Sequence, residues 1–251
     1  MKKILYPLTV LWAWWYFIIF TLFFFIFYPL FAIFLSRPQW FPYANKLRVV
    51  WAYILFFLTG IICRVERRSK LKTNQPYIFC SNHFSYLDIP VSTMAVKRNF
   101  CFVAKSEINN IPFLNIFFKK LDISMERENP RESLKGLSKA KEALENGLDV
   151  VIYPEGKIDD HPPLMTHFKN GPFKLAIENQ IPIVPYSMID NWKILYVNGW
   201  KMYGRPGIAR AIVHEPIETK GMTLDNLQAL KEKVFMIVDG DLRKHLGKNF
   251  K

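Results

Sequence analysis

From Ile4 to Leu35 the chain carries no charged residue, and most positions are aliphatic or aromatic. As one straight helix this stretch would be about 48 Å long at 1.5 Å per residue, against a bilayer hydrocarbon core of roughly 30 Å. Pro29 is expected to break it near its end. The stretch is too long and too aromatic for a signal peptide and lacks a small-residue cleavage site, so it is expected to be retained. A second apolar run, Val49–Cys63, follows the polar link Ser36–Arg48. It falls short of the ~20 residues of a comfortable span. A helical hairpin dipping into one leaflet fits this pattern at least as well as two full crossings, and a buried soluble core is the competing reading.

From Gln75 onward short apolar runs alternate with helical patterns. Pro76–Cys80, Phe100–Ala104, Leu121–Ser124, Asp149–Tyr153, Ile181–Ser187 and Ile208–Val213 read as strands. Helices are predicted near Leu87–Val96, Ile111–Lys119, Arg131–Asn146, Gly171–Asn179 and Thr223–Leu246. In the third of these, Leu134, Leu137, Ala140 and Leu144 line one face and Gly147 ends it. Strand and helix in alternation predict an α/β fold, a largely parallel sheet flanked by helices. The expected division is a membrane-anchoring helical segment over 1–72 and an α/β domain over 73–251.

Charge sharpens this division. The formal net charge is +13, and the first 72 residues hold ten Lys or Arg against one acid, Glu66. Basic residues flanking apolar segments suit anionic lipid headgroups. No nucleic-acid fold signature accompanies the positive charge, so lipid rather than nucleic acid is the expected partner. Three cysteines, none in a C-x-x-C spacing, argue against a disulfide framework and fit a reducing compartment.

Four segments carry candidate chemistry. In Ser81-Asn82-His83-Phe84-Ser85-Tyr86-Leu87-Asp88, His83 follows a predicted strand and Asp88 enters a predicted helix. A turn there can set the carboxylate on one ring nitrogen, fix the tautomer and leave the other nitrogen as a base. A hydrogen-bonded structural histidine with a capping aspartate is the other reading of the spacing. Tyr153-Pro154-Glu155-Gly156 places an acid and a glycine at a strand's carboxyl end, where α/β sites form. Phe168-Lys169-Asn170-Gly171 opens a helix, where N–H groups and a lysine can meet an anion. Ile181-Pro182-Ile183-Val184-Pro185 reads as a buried strand bounded by prolines. The other histidines show no metal-ligand spacing, so no metal is expected, and no G-x-S-x-G supports a serine hydrolase.

Taken in order, these segments resemble the glycerolipid acyltransferase family of the 1-acylglycerol-3-phosphate O-acyltransferase type, over roughly Gln75 to Pro216. Asn82, His83, Ser85 and Asp88 match the family's N-H-x-S-x-x-D block. Lys105, Glu107, Pro112 and Arg127 correspond to its second block, without the glycines usual before the arginine. Pro154, Glu155 and Gly156 match its F-P-E-G-T-R block, with Lys157 and Ile158 in place of Thr-Arg. The resemblance implies that His83, held by Asp88, deprotonates a lysolipid hydroxyl, which attacks an acyl thioester without a covalent acyl-enzyme. It also implies substrate contacts at Asn82, Ser85, Lys105, Arg127, Glu155, Gly156, Lys169 and Gly171, with Lys105 and Arg127 on the acceptor phosphate and Lys157 or Lys169 assisting. The implied donor is acyl-CoA or acyl carrier protein, with no bound cofactor, and the active domain on the cytoplasmic side of a membrane. Because isoleucine cannot form an arginine's paired contacts to phosphate, a lyso-aminolipid acceptor stays open. A non-catalytic lipid-binding protein is the reading from a different class.

Overall fold

The structure is a computed structural model that describes residues 2–106, 113–126, 129–158, 162–199 and 201–246. It opens with a helical hairpin, α1 (Lys2–Phe34) and α2 (Phe41–Thr59). The start of α1 meets the end of α2: the indole N–H groups of Trp12 and Trp15 donate to the Thr59 and Leu58 carbonyls at 3.1 and 3.0 Å. At the other end Phe34 packs on Tyr43. Pro29 does not end α1. Phe24 before it and Phe31 after it both pack on Phe117, which holds the two halves in line.

The second helix differs from the apolar run. It begins at Phe41, inside the expected link, with a proline in its first turn, where the missing N–H costs nothing. It stops at Gly60, whose φ of +69° caps the helix in a left-handed conformation. Its buried face includes Asn45 and Arg48, and these two polar residues disguise the helical period. Arg48 was expected among the lipid-facing cations. Instead it is buried, pairs with Asp122 at 2.5 Å and lies over the Phe117 ring.

Residues after Gly60 become β1 (Ile61–Arg67), a strand absent from the prediction and located within the stretch assigned to the anchor. The chain continues through β2 (Ile78–Ser81), α3 (Asp88–Val96), β3 (Phe100–Lys105), α4 (Asn115–Lys120), β4 (Ile123–Met125), α5 (Pro130–Glu145) and β5 (Asp149–Ile152). It ends with α6 (Gly171–Asn179), β6 (Ile183–Met188), α7 (Asn191–Ile194), β7 (Leu195–Asn198), β8 (Lys201–Gly204), β9 (Gly207–Val213) and α8 (Leu227–Leu246). The hairpin β7–β8 is also absent from the prediction; its strands have four residues each, too few to display a period.

Among the described residues the main sheet has the order β1-β9-β6-β2-β5-β3-β4. The five strands from β6 to β4 run parallel, while β9 opposes β6 and β1 follows β9. The fold is α/β, as the alternation predicts. Alternate residues of each strand feed two cores. Phe79, Val151 and Val184 face Tyr16, Leu55 and Val91 from α1, α2 and α3. Ile78, Val150 and Ile183 face Ala140, Leu175, Phe173 and Val234 from α5, α6 and α8. A third cluster joins Phe84 to Val238 and Leu242 of α8. Asp241 ties the same helix to the sheet through Ser187 at 2.8 Å and His214 at 2.6 Å.

Helix α1 lies along this body. It touches β8 at its start (Tyr6 on Tyr203), the turn before α3 at its middle (Phe17 on Tyr86) and α4 near its end (Phe31 on Phe117). Gly204 permits the first contact, since a Cβ there would sit 2.6 Å from the Trp12 ring. The other side of α1 exposes Leu8, Leu11, Trp14, Ile18, Leu22, Ile26, Leu30 and Ile33, next to Val50, Phe57 and Leu58 of α2.

The Arg48–Asp122 pair fixes α2 against β3 and β4, because Asp122 also accepts the Phe102 N–H at 3.0 Å. Arg48→Ala would leave a buried carboxylate without its cation, and is expected to cost about 3–5 kcal/mol. Lys70→Ala, at an exposed position, should stay within about 0.5 kcal/mol of wild type. Thermal unfolding of both variants in detergent micelles measures the difference.

Candidate active site

The carboxyl ends of β2, β3, β5 and β6 meet at one edge of the sheet, and the candidate residues gather there. Asn82 follows β2 and has no solvent exposure. Its side chain donates to the Met188 carbonyl at 2.9 Å and accepts the Met188 N–H at 2.8 Å, which pins β2 to β6. Next comes His83. Its Nδ1 lies 2.8 Å from Asp88 Oδ2, and among the described residues Nε2 has no hydrogen-bond partner. A carboxylate at Nδ1 draws the ring proton there and leaves the Nε2 lone pair free. The ring lies on Tyr153, with centroids 4.1 Å apart and planes 13° apart.

Asp88 is fully buried at the start of α3. One oxygen accepts from His83 and from the backbone N–H groups of Phe84 and Ser85, at 2.8 and 2.9 Å. The other accepts from Asn191 Nδ2 at 2.7 Å. These donors offset the several kcal/mol that an unpaired buried carboxylate would cost. The same aspartate therefore shapes the turn and orients the imidazole. Ser85 Oγ donates to the Leu195 carbonyl at 2.6 Å and accepts the Leu87 N–H at 3.1 Å. Asn82 and Ser85, for which the resemblance implies substrate contacts, thus spend their polar atoms on the chain itself.

Glu155 is also buried. Its Oε1 accepts the His83 N–H at 2.8 Å and its Oε2 accepts the Thr166 N–H at 2.9 Å. It braces the histidine's backbone from the side opposite Asp88. Gly156 has a φ of +85°, which a side chain resists. Gly156, Lys169 and Gly171 line a small hollow of about 80 Å³ beside Tyr153 and Pro154. The Lys169 N–H donates to the Pro154 carbonyl at 2.9 Å, so the second and third segments close on each other. Lys105 ends β3 at the same edge. Arg127, Glu107 and Pro112 lie outside the described residues. Lys157 is exposed and Ile158 half-buried.

An apolar cavity of about 300 Å³ adjoins this edge. Tyr86, Ile89 and Pro90, which flank Asp88, form one wall; Phe17, Phe20 and Leu55 from α1 and α2 form another. Arg48 and Asp122 reach its lining already paired with each other.

Two site residues escaped the sequence reading. Tyr153 was assigned to a strand, and only its stacking on His83 reveals the second role. Asn191 lies just past a strand that ends at this edge of the sheet, a position that favours site residues, but nothing local links it to Asp88. The Tyr153 hydroxyl is pushed well above its ordinary range by burial, with Tyr186 and Asp88 adding to the effect. It remains protonated and shares Ser92 Oγ with Tyr186 at 2.8 Å on each side.

The family model described as Acyltransferase matches residues 62–189, slightly more than half of the 251-residue chain. The chain belongs to the acyltransferase family. It is 30% identical over 182 residues to 1-acyl-sn-glycerol-3-phosphate acyltransferase alpha of Mus musculus, covering 71% of this chain and 62% of that protein. Against the 1-acyl-sn-glycerol-3-phosphate acyltransferase of Saccharomyces cerevisiae the identity is 28% over 185 residues, covering 72% of this chain and 60% of the relative. The chain therefore spans about three fifths of the length of these curated relatives. The fold matches the crystal structure of the 1-acyl-sn-glycerophosphate acyltransferase PlsC of Thermotoga maritima with a TM-score of 0.77 over the whole of both chains, at 20% identity.

Asn191→Ala removes one donor from Asp88 and is expected to lower kcat on the order of tenfold with substrate KM values unchanged. Asn191→Asp places a second carboxylate against Asp88, which favours the imidazolium of His83. The acid limb of its pH–rate profile should move to higher pH, a change that a merely structural role would not produce.

Proposed function

We propose that this protein transfers a fatty acyl group from a thioester to the free hydroxyl of 1-acylglycerol-3-phosphate, giving phosphatidic acid. The observation that carries this reading is the His83–Asp88 pair next to an apolar cavity walled by α1, α2 and α3, whose lining includes Tyr86, Ile89 and Pro90 on either side of Asp88. His83 Nε2 takes the hydroxyl proton as the oxygen attacks the thioester carbon. The C–S bond then breaks and the thiolate leaves, to be protonated in turn by the imidazolium. The chain supplies its own base and orienting groups, so no bound cofactor is called for. Asp88 stays a carboxylate throughout and stabilises the imidazolium. The names of the relatives in mouse and yeast support 1-acylglycerol-3-phosphate as acceptor.

The acceptor's phosphate is assigned to Lys105 and Arg127, and the donor to acyl-CoA or acyl carrier protein. The apolar cavity takes an acyl chain. Helices α1 and α2 enter one leaflet with the α/β domain on the cytoplasmic face. Two features support that placement: α1 contacts the domain along its whole length, so it cannot stand clear as a crossing helix, and its outward side chains are apolar.

His83→Ala and Asp88→Asn are each expected to lower turnover by roughly 10²–10⁴-fold while the protein still folds. The assay uses purified protein, one acyl thioester, and lysophosphatidic acid, neutral lysophospholipids and a lyso-aminolipid as acceptors. Lysophosphatidic acid should be preferred; preference for the lyso-aminolipid would reassign the acceptor. A second expectation concerns the cavity. Ala52, buried in its lining, changed to Phe should shift the preferred acyl chain toward shorter lengths, as read by competition among thioesters of different length.

A further inference from the structure

A second hollow, of about 410 Å³, lies between the starts of β1 and β9 and helix α7. Arg64, Lys193, Arg205 and Arg210 line it, with Asp190 as the acid among them. Asp190 is already engaged: Arg210 grips it through Nε at 2.6 Å and Nη2 at 2.8 Å, and Lys193 Nζ lies 3.8 Å away. Arg64 and Arg205 have exposed side chains with no hydrogen bond or ion pair among the described residues. Moreover, Arg64 and Arg210 occupy the same register position on neighbouring strands. Like charges set side by side in a sheet repel. The fold holds three cations in excess around one concavity, and among the described residues nothing neutralises them.

The hollow adjoins the catalytic machinery. Its Asp190 precedes Asn191, which holds Asp88, and its Ile194 precedes Leu195, whose carbonyl receives Ser85. Strands β9 and β1 start at the sheet edge where β6 ends, since Ile189 N–H bonds the Arg210 carbonyl. They stand two and three strand spacings from β2, so the hollow lies roughly 10–15 Å to the side of His83. Clustered guanidinium groups are built for phosphate oxygens, which they grip in pairs. The acceptor's phosphate cannot be the ligand, because in a glycerol phosphate it sits only a few bonds from the reacting hydroxyl. A donor that carries its thioester on a phosphopantetheine arm has its phosphates at the far end of that arm.

We propose that the Arg64–Arg205–Arg210 hollow binds the phosphate groups of the acyl donor, of the acyl-CoA kind, while the donor's arm runs along α7 to His83. The proposal rests on the acyl-transfer reading and adds the donor's anchoring site to it. Arg64→Ala, Arg205→Ala and the double variant test it, since both side chains are exposed and their loss leaves the cores intact. With acyl-CoA, each single variant should raise the donor KM about tenfold and the double variant more, with the acceptor KM unchanged. With an acyl-pantetheine thioester, which lacks the phosphates, wild type and variants should converge. Titration of CoA itself into His83→Ala protein, whose turnover is expected to be lowered by orders of magnitude, gives a readout that does not depend on acyl transfer. CoA should bind that protein and lose affinity when Arg64 and Arg205 are also replaced. Undiminished CoA binding in those replacements, or none to His83→Ala, would overturn the proposal even if acyl transfer is active. An unchanged donor KM with weakened binding to vesicles containing an anionic phospholipid would also overturn it, reassigning the hollow to a lipid headgroup.

Discussion

A carboxylate with no access to water must be surrounded by donors, and much of the site follows from how Asp88 meets that requirement. Two of its donors are the backbone N–H groups of Phe84 and Ser85, so the chain after β2 must curl back on the first turn of α3. The third is the imidazole of His83, which the curl delivers. The fourth, Asn191, comes from just past the end of β6. It requires β6 to lie beside β2, and Asn82 secures that neighbour by hydrogen-bonding the Met188 backbone twice. Glu155 then fixes the His83 backbone from β5, the strand on the other side of β2. Two buried carboxylates, Asp88 and Glu155, thus tie three adjacent strands together at their carboxyl ends, and Nε2 of His83 is the group left over.

The sequence displayed what local spacing can display. The α/β alternation, the His83–Asp88 turn and the start of α6 at Gly171 each depend on residues within a few positions of one another. What stayed hidden depends on tertiary partners. Helix α2 carries Arg48 and Asn45 on its buried side, and these look like link residues until Asp122 and Phe100 are found opposite them. Strand β1 continues an apolar run into a basic one, and only β9, 146 residues later, makes it a strand. Asn191 and Tyr153 belong to the site through contacts 103 residues away in one case and a ring stack in the other. Asn82 and Ser85 illustrate the converse. Their place in a recognisable block drew attention to them, while their burial directs them to the backbone.

The hairpin contributes to both halves of the molecule. Its inner face supplies Tyr16, Phe20 and Leu55 to the cavity beside the turn before α3, and its outer face is apolar along its length. A donor acyl chain lodged between these helices would lie on a hydrocarbon-like surface as it reaches His83. The basic hollow at the opposite flank offers a different environment, open and charged, as suits the phosphates of the same donor. In the proposed reaction the donor would then span two phases, with the imidazole between them.

The indole N–H groups of Trp12 and Trp15 end on the last carbonyls of α2. Helix ends ordinarily leave such carbonyls to water, and in hydrocarbon each unsatisfied one costs several kcal/mol. Here that hydration is replaced before any bilayer is met. In the one-leaflet placement, the hairpin's depth would follow from the apolar area it offers, with no shell of water to strip from the end of α2. Partition between membranes would then be a property of side chains alone, tunable residue by residue along the outer face without disturbing the backbone that frames the site.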